Sequence, residues 1–367
     1  MTTPRPCPPS RTKPDVRRWL GAVVLALAAC STDSGGDSDL PSGLEVMENT
    51  VDNTIVPDIG RFRGSAEGMQ GQVDAFCSAP SVDALGEVQT GWRSLSEAWN
   101  AVAPYNLGPL DDDFITPKII FFESMRQRGT DYTQTVRDEI ALGVGGTETL
   151  DAAYFEGLTF NKVGLLALEV LAFENATAES LEPSDIVADY EAEPRRCEYL
   201  QGIIGRLTTQ AVELETEWTD AFAEGEAFRD SMLENTLEDG AQPVVALLIA
   251  LQDHLLYIKD RKLEGILDAQ LSGHFYPNVA ATLDALEHLL VQPMPEDAVG
   301  ILDFMAARGL EADVATVEAN LAMAKDAAAN EDREALITAI GLLEGNIKRE
   351  IPDGLGVDLG LNFSDGD

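Results

Sequence analysis

Positive charge is scarce in this sequence: 25 lysines and arginines stand against 64 aspartates and glutamates in 367 residues. A chain so acidic repels nucleic acid and anionic lipid headgroups, so neither is expected as a partner. It could concentrate cations, although the plainer reading is a solubilising surface with no specific ligand. Histidine is scarcer still, with three copies. His254 and His288 lie on helical stripes and read as core or amphipathic surface positions. That leaves His274, in a loop punctuated by glycine and proline, as the one histidine to consider as a metal ligand. No H-E-x-x-H pair, G-x-S-x-G elbow, Walker loop or dinucleotide glycine motif occurs. The run Asp111–Asp113 lacks the alternating ligand spacing of a calcium loop and reads as a solvated acidic loop. The terminal SDGD reads by composition as a frayed tail.

Long apolar runs are missing too. The stretch from Trp19 to Ala29, preceded by Arg17 and Arg18, falls well short of the roughly 20 residues that a membrane-spanning helix needs. It reads instead as an export signal. Its end, Leu27-Ala28-Ala29-Cys30, resembles the bacterial lipoprotein signal, which implies cleavage after residue 29 and lipidation of Cys30. The membrane is then a partner through that anchor. Ser31, rather than an aspartate, follows the cysteine, which by the same resemblance favours the outer membrane over the inner one, with the chain expected on its periplasmic face. Cleavage removes five basic residues and one acidic one, leaving 20 against 63 and a net charge near −43. Residues 30–43, dominated by serine, glycine and aspartate, are too small and polar to pack and read as a flexible tether.

Cysteine is sparse as well. With Cys7 lost in the leader and Cys30 lipidated, Cys77 and Cys197 remain. In an exported protein such a pair suggests one disulfide, worth about 3–5 kcal/mol across a long loop. Two buried free thiols are the alternative. Neither cysteine has a Cys or His at ligand spacing, so a zinc or haem role is poorly supported.

What the sequence has in abundance is helical periodicity. Val82, Leu85, Val88, Trp92, Leu95 and Trp99 recur at spacings of three and four, with Ser81 placed as an N-cap and Pro104 just past the end. Similar stripes run through Leu44–Phe76, Thr133–Leu142, Leu158–Phe173, Cys197–Phe222, Phe228–Ile258, Val279–Val291, Val314–Ala328 and Arg333–Ile347. No alternating strand pattern or Asn-Gly hairpin interrupts them, and no short repeat recurs at a fixed period. The chain is therefore expected to be all-α, folded as two helical bundles. A boundary near Phe222–Phe228 divides it into an N-terminal bundle, 44–224, and a C-terminal bundle, 225–367.

One stripe carries an oddity. In VGLLALEVLAFE, Val163 to Glu174, Glu169 interrupts a nearly continuous apolar run, and Leu166 shares its helix face. The stretch resembles the G-x-H-x-x-E motif of the imelysin family, with Gly164 and Glu169 in place and Leu166 where the histidine would stand. The resemblance extends over most of Leu44 to Asp367. It takes in Cys77, Trp92 and Trp99, the Gly108-Pro109 step, EPRRCEYLQGIIGRL, DRKLEGIL and the ending LGVDLGLNFSDGD. It implies two up-and-down helical bundles with the motif helix at their junction, a bridge between Cys77 and Cys197, and a packed C-terminus. The family includes exported peptidases and iron-regulated proteins, so the activity implied is peptide cleavage or the uptake of iron or another divalent metal.

Departures from the family pattern favour binding over cleavage, with a purely structural or adhesive lipoprotein, its junction packed shut, as the third reading. Leucine offers no lone pair, so a His/Glu metal pair cannot form at 166 and 169 and a metal-activated water loses a ligand. In LDAQLSGHFYP, Asp268, Ala269 and Phe275 stand where relatives often carry a glutamate and serines, while Ser272 and Gly273 are retained. The expected site thus gathers Gly164, Glu169, Trp92, Arg93, Trp99, Ser272 and His274 at the bundle junction, with no catalytic residue and with Glu169 as the candidate metal ligand. The cofactor implied is a divalent metal or iron, and an envelope metal-uptake protein is the implied partner. Glu169 itself has three accounts: a buried junction carboxylate paired with an arginine such as Arg93 or a tryptophan N–H, a ligand-site residue, or an exposed one.

Overall fold

Ser81 accepts a hydrogen bond from the N–H of Ala84 at 3.2 Å, and the helix that follows runs to Val102, just before Pro104. That is the length its stripe predicts, and Leu85, Val88, Trp92, Leu95 and Trp99 are all buried along it. The computed structural model describes residues 41–110, 118–126, 129–223, 225–237, 240–265, 268–291 and 298–359. The signal segment, Cys30, nearly all of the tether, the Asp111–Asp113 loop and the terminal SDGD lie outside the described residues.

In chain order the helices are α1 Gly43–Thr50, α2 Val56–Ser78, α3 Val82–Val102, α4 Lys118–Phe122, α5 Thr133–Gly145, α6 Ala152–Glu156, α7 Gly164–Phe173 and α8 Pro183–Ala192. They continue with α9 Arg195–Thr219, α10 Phe228–Glu234, α11 Pro243–Leu256, α12 Phe275–Leu290, α13 Ile301–Ala306, α14 Glu311–Ala329, α15 Arg333–Lys348 and α16 Glu350–Leu355. Among the described residues there is no strand, and no helix is long and apolar enough to cross a membrane.

The stripes differ from the helices where backbone chemistry intervenes. Leu44–Phe76 is continuous, but a π turn at Val51–Ile55 precedes Pro57, whose ring would clash with the carbonyl four residues back in an ordinary helix. Leu158–Phe173 is not one helix, because Gly164 takes φ +76° and the helix starts there. Phe228–Ile258 is likewise split: Asn235, in the left-handed region, ends α10, and Pro243 opens α11. A second π turn, Tyr257–Leu263, extends α11.

The described residues form one compact unit. α2 packs against α3 and α9; α3 also meets α7 and α12; α12 meets α14, α14 meets α15, and α15 meets α11. Cys77 at the end of α2 and Cys197 at the start of α9 are joined by a disulfide with Cα atoms 5.5 Å apart. α7 sits among α3, α5 and α9. Every residue from Gly164 to Phe173 except Leu166 is buried, which explains an apolar run with no polar face.

Candidate functional site

The placement of α7 is fixed at both ends. A Cβ on Gly164 would run into the carbonyl oxygens of Phe121 and Phe122, so the start of α7 lies against the end of α4 at a distance only glycine permits. Trp92 donates its indole N–H to the carbonyl of Leu165 at 2.9 Å. At the other end, Gln89 and Tyr190 donate to the carbonyls of Ala172 and Leu171, both at 2.9 Å, satisfying acceptors that a helix C-terminus leaves open. The next residue, Glu174, receives both arms of Arg137 at 2.7 Å.

So anchored, α7 directs Glu169 toward the loop before α12. The side chain is 2 % exposed, and one oxygen accepts both the backbone N–H of Ser272 at 2.9 Å and its hydroxyl at 2.8 Å. Burial pushes this carboxyl up to about 7 despite the two bonds from Ser272, and Asp268 nearby adds to the rise. Glu169 is therefore buried and not exposed, and its partner is neither an arginine nor a tryptophan N–H. Arg93 instead lies over the Phe173 ring, 5.0 Å from its centroid. The N–H groups of Trp92 and Trp99 are committed elsewhere, the first to Leu165 and the second to Glu123 at 3.0 Å. His274 pairs with Glu97 at 2.7 Å and does not line the cavity beside Glu169.

That cavity has a volume of about 280 Å³. Its apolar wall includes Trp92, Trp99, Leu165 and Leu166, and its polar wall includes Glu123, Glu169, Asp268 and Asn278. Leu166 and Glu169 thus share the cavity, as their spacing predicts.

Behind the polar wall lies a charged cluster that sequence reasoning missed. Lys262, 1 % exposed, places its ammonium 2.6 Å from Glu123 and 2.7 Å from Asp268. Tyr257 donates its hydroxyl to Glu123 at 2.7 Å. Burial alone would raise Glu123, yet Lys262 and Arg126 outweigh it and hold the carboxyl at about 2. Burial, reinforced by Glu123, keeps Asp268 above the ordinary carboxylate range in spite of Lys262. Arg126 lies over the Tyr257 ring at 4.4 Å and donates to Nδ1 of His254 at 2.9 Å. Burial first, then Arg126 and Lys262, hold His254 well below its usual range, so it is a neutral core histidine. Lys262 lies within DRKLEGIL and Asp268 within LDAQLSGHFYP, but no local spacing signals their contact with Glu123.

The metal that the motif implies does not fit the residues present. Leu166 offers no donor, the nearer oxygen of Glu169 is held twice by Ser272, and the described residues contain no group of three His, Cys, Asp or Glu side chains able to hold an ion.

Among solved structures, an imelysin-like protein from Psychrobacter arcticum 273-4 superposes with a TM-score of 0.68 at 16 % identity, covering 88 % of this chain and 99 % of the other. A protein assigned as an iron-regulated protein A precursor, from Parabacteroides distasonis ATCC 8503, gives 0.60 at 12 % identity, covering 87 % and 97 %. At such identities the likeness is one of fold. No protein of curated function matches the chain. The family model described as Imelysin matches residues 55–344, a span that includes the glycine-started α7, the Cys77–Cys197 bridge and the whole cavity wall, so the chain belongs to the imelysin family.

Proposed function

We propose that this chain is a cell-envelope lipoprotein, anchored through Cys30, that binds a ligand in the cavity beside α7 and does not cleave peptides. Members of the imelysin family are exported proteins, which supports the envelope address. The observation that carries the non-catalytic reading is Leu166: a hydrocarbon lines the cavity one helical turn from Glu169, where the family motif has an imidazole. Without that donor no metal-bound water is available to attack a peptide carbonyl. The process served is the uptake or handling of iron or another metal, a reading supported by family membership and by the name of the Parabacteroides relative. Metal is then cargo and not a catalytic ion.

The test measures two things on the purified chain. Cleavage of an unfolded protein such as casein, abolished by a chelator, would overturn the non-catalytic reading in favour of a metallopeptidase. Metal content is measured alongside, in the wild type and in Glu169→Gln. Metal bound stoichiometrically and lost in that variant would return Glu169 to a ligand role. For the anchor, fatty-acid labelling that disappears in Cys30→Ala is the expected result.

A further inference from the structure

Two residues that line the cavity beside α7 each carry a buried side-chain oxygen without a hydrogen-bond partner. Asn278 is 1 % exposed, and its Oδ1 is buried with no hydrogen-bond partner. Asp268 gives Oδ2 to Lys262, while its Oδ1 is likewise buried and unpartnered. Both residues line the same cavity. An unpaired buried acceptor is costly, so two in one cavity wall mark a place where a donor is expected to arrive.

The remaining walls narrow what that donor is. An anion finds no free cation: Arg137 is the one cation among the described lining residues, and Glu174 occupies it with two bonds of 2.7 Å. A bare metal ion finds, among the described residues, no three His, Cys, Asp or Glu side chains grouped to hold it, and Leu166 lines the wall one turn from Glu169. An organic cation finds what it needs. The wall brings carboxyl and amide side chains, Glu123, Glu169, Asp268 and Asn278, together with Trp92, Trp99, Leu165 and Leu166, a lining suited to N–H groups on a hydrocarbon body. Asp131, also in the wall, adds a carboxylate that accepts from its neighbour Thr133.

We propose that this cavity binds a small organic cation, an amine or guanidine with a short apolar body, through Asp268 Oδ1 and Asn278 Oδ1. The proposal rests on the cavity being a binding site, as argued above, and is independent of the link to metals. If both hold, the step performed here in metal handling is something other than gripping the ion itself.

The experiment is calorimetric titration of the mature chain with agmatine, putrescine and butylamine, against neutral 1-butanol and against Zn²⁺. At least one amine is expected to bind saturably, with 1-butanol at least tenfold weaker. Asp268→Asn is expected to weaken that amine tenfold or more. Because this change also loosens Lys262, a second variant is needed. Leu166→Trp fills the cavity from a half-buried position, leaves the charged cluster intact, and is expected to abolish amine binding with the melting temperature kept. Amine binding unchanged in Leu166→Trp would overturn the site. Failure of all three amines, with Zn²⁺ bound and displaced by Leu166→Trp, would overturn the organic cation while sparing the binding function. Failure of every probe would sink both.

Discussion

Ser272 donates its backbone N–H and its hydroxyl to the same oxygen of Glu169, at 2.9 and 2.8 Å, joining α7 to the loop before α12. The two residues are 103 positions apart, so the contact holds distant parts of the chain in register.

This arrangement has a pH signature. Folded, the Glu169 carboxyl holds its proton up to about 7, whereas the unperturbed value is 4.5. The folded form therefore binds the proton more tightly than the unfolded chain between those values. The group's contribution to stability is complete below about 4.5, falls as pH rises through that window, and is level above about 7. The slope is at most about 1.4 kcal/mol per pH unit. Glu169→Gln, which mimics the neutral acid, is expected to lose it. Urea unfolding of both proteins at half-unit intervals decides the matter, and parallel curves would contradict the shift.

Lys262 presents the opposite case. Its ammonium compensates Glu123 and Asp268 in a buried cluster, and Lys262→Met leaves those carboxylates without it. Removing one partner of a buried ion pair costs about 3–5 kcal/mol, and that loss is the expectation here. It should shrink toward low pH, where Asp268 takes up a proton first. A loss below about 1 kcal/mol would mean that water already screens the cluster.

The contrast between these two sites shows how far the sequence reaches. The stripe from Leu85 to Trp99 is legible because spacings of three and four encode one buried face, although Val82, at the start of the helix, stays exposed. The burial of α7 is legible because a run apolar on all sides has no face to give to water. The hydrogen bonds of Glu169 are not legible from spacing: the family resemblance groups Ser272 with it in one site, but the pairing itself forms across 103 positions. Glu123 and Tyr257 meet across 134 positions, and the π turn that carries Tyr257 and Lys262 has no sequence signature to set it apart from a helix. Long-range pairings of polar side chains are a product of the tertiary fold. A periodicity reading can place the residues on helices but cannot introduce them to one another.

Gly164 yields a paired test. Alanine there must take φ +76° and place its Cβ against the Phe121 and Phe122 carbonyls, so a loss of at least about 1–3 kcal/mol is expected. Gly68, exposed within α2 with nothing near a built Cβ, is the control. Alanine at 68 should stabilise by about 0.5–1 kcal/mol through helix propensity. Equal effects at the two positions would mean that α7 is free to shift.

The bridge between Cys77 and Cys197 closes a separation of 120 residues. A loop of that size predicts about 4–5 kcal/mol of stabilisation through restriction of the unfolded chain. The double change Cys77→Ser with Cys197→Ser should lower the urea midpoint accordingly, and added reductant should bring the wild type to the same value. If reductant leaves the wild-type midpoint unmoved under unfolding conditions, the bond is not formed in the protein as made.

Restoring the family's missing donor is the most direct probe of the site. Leu166 and Glu169 are one turn apart and both line the cavity, so a histidine at 166 would face the carboxyl across open space. Leu166→His is expected to gain binding of Co²⁺ or Zn²⁺ that the wild type lacks, read by calorimetry and by the visible spectrum of Co²⁺. The gain should strengthen as pH rises past about 7, because the metal must displace both the imidazole proton and the proton that Glu169 holds to that value. Adding Glu169→Gln should remove most of it, since one imidazole alone is a weak site. Ser272→Ala should strengthen it instead, because both hydroxyl and metal want the same carboxylate oxygen. A wild-type chain that already binds Co²⁺ beside Glu169 would show that the cavity finds its donors without position 166.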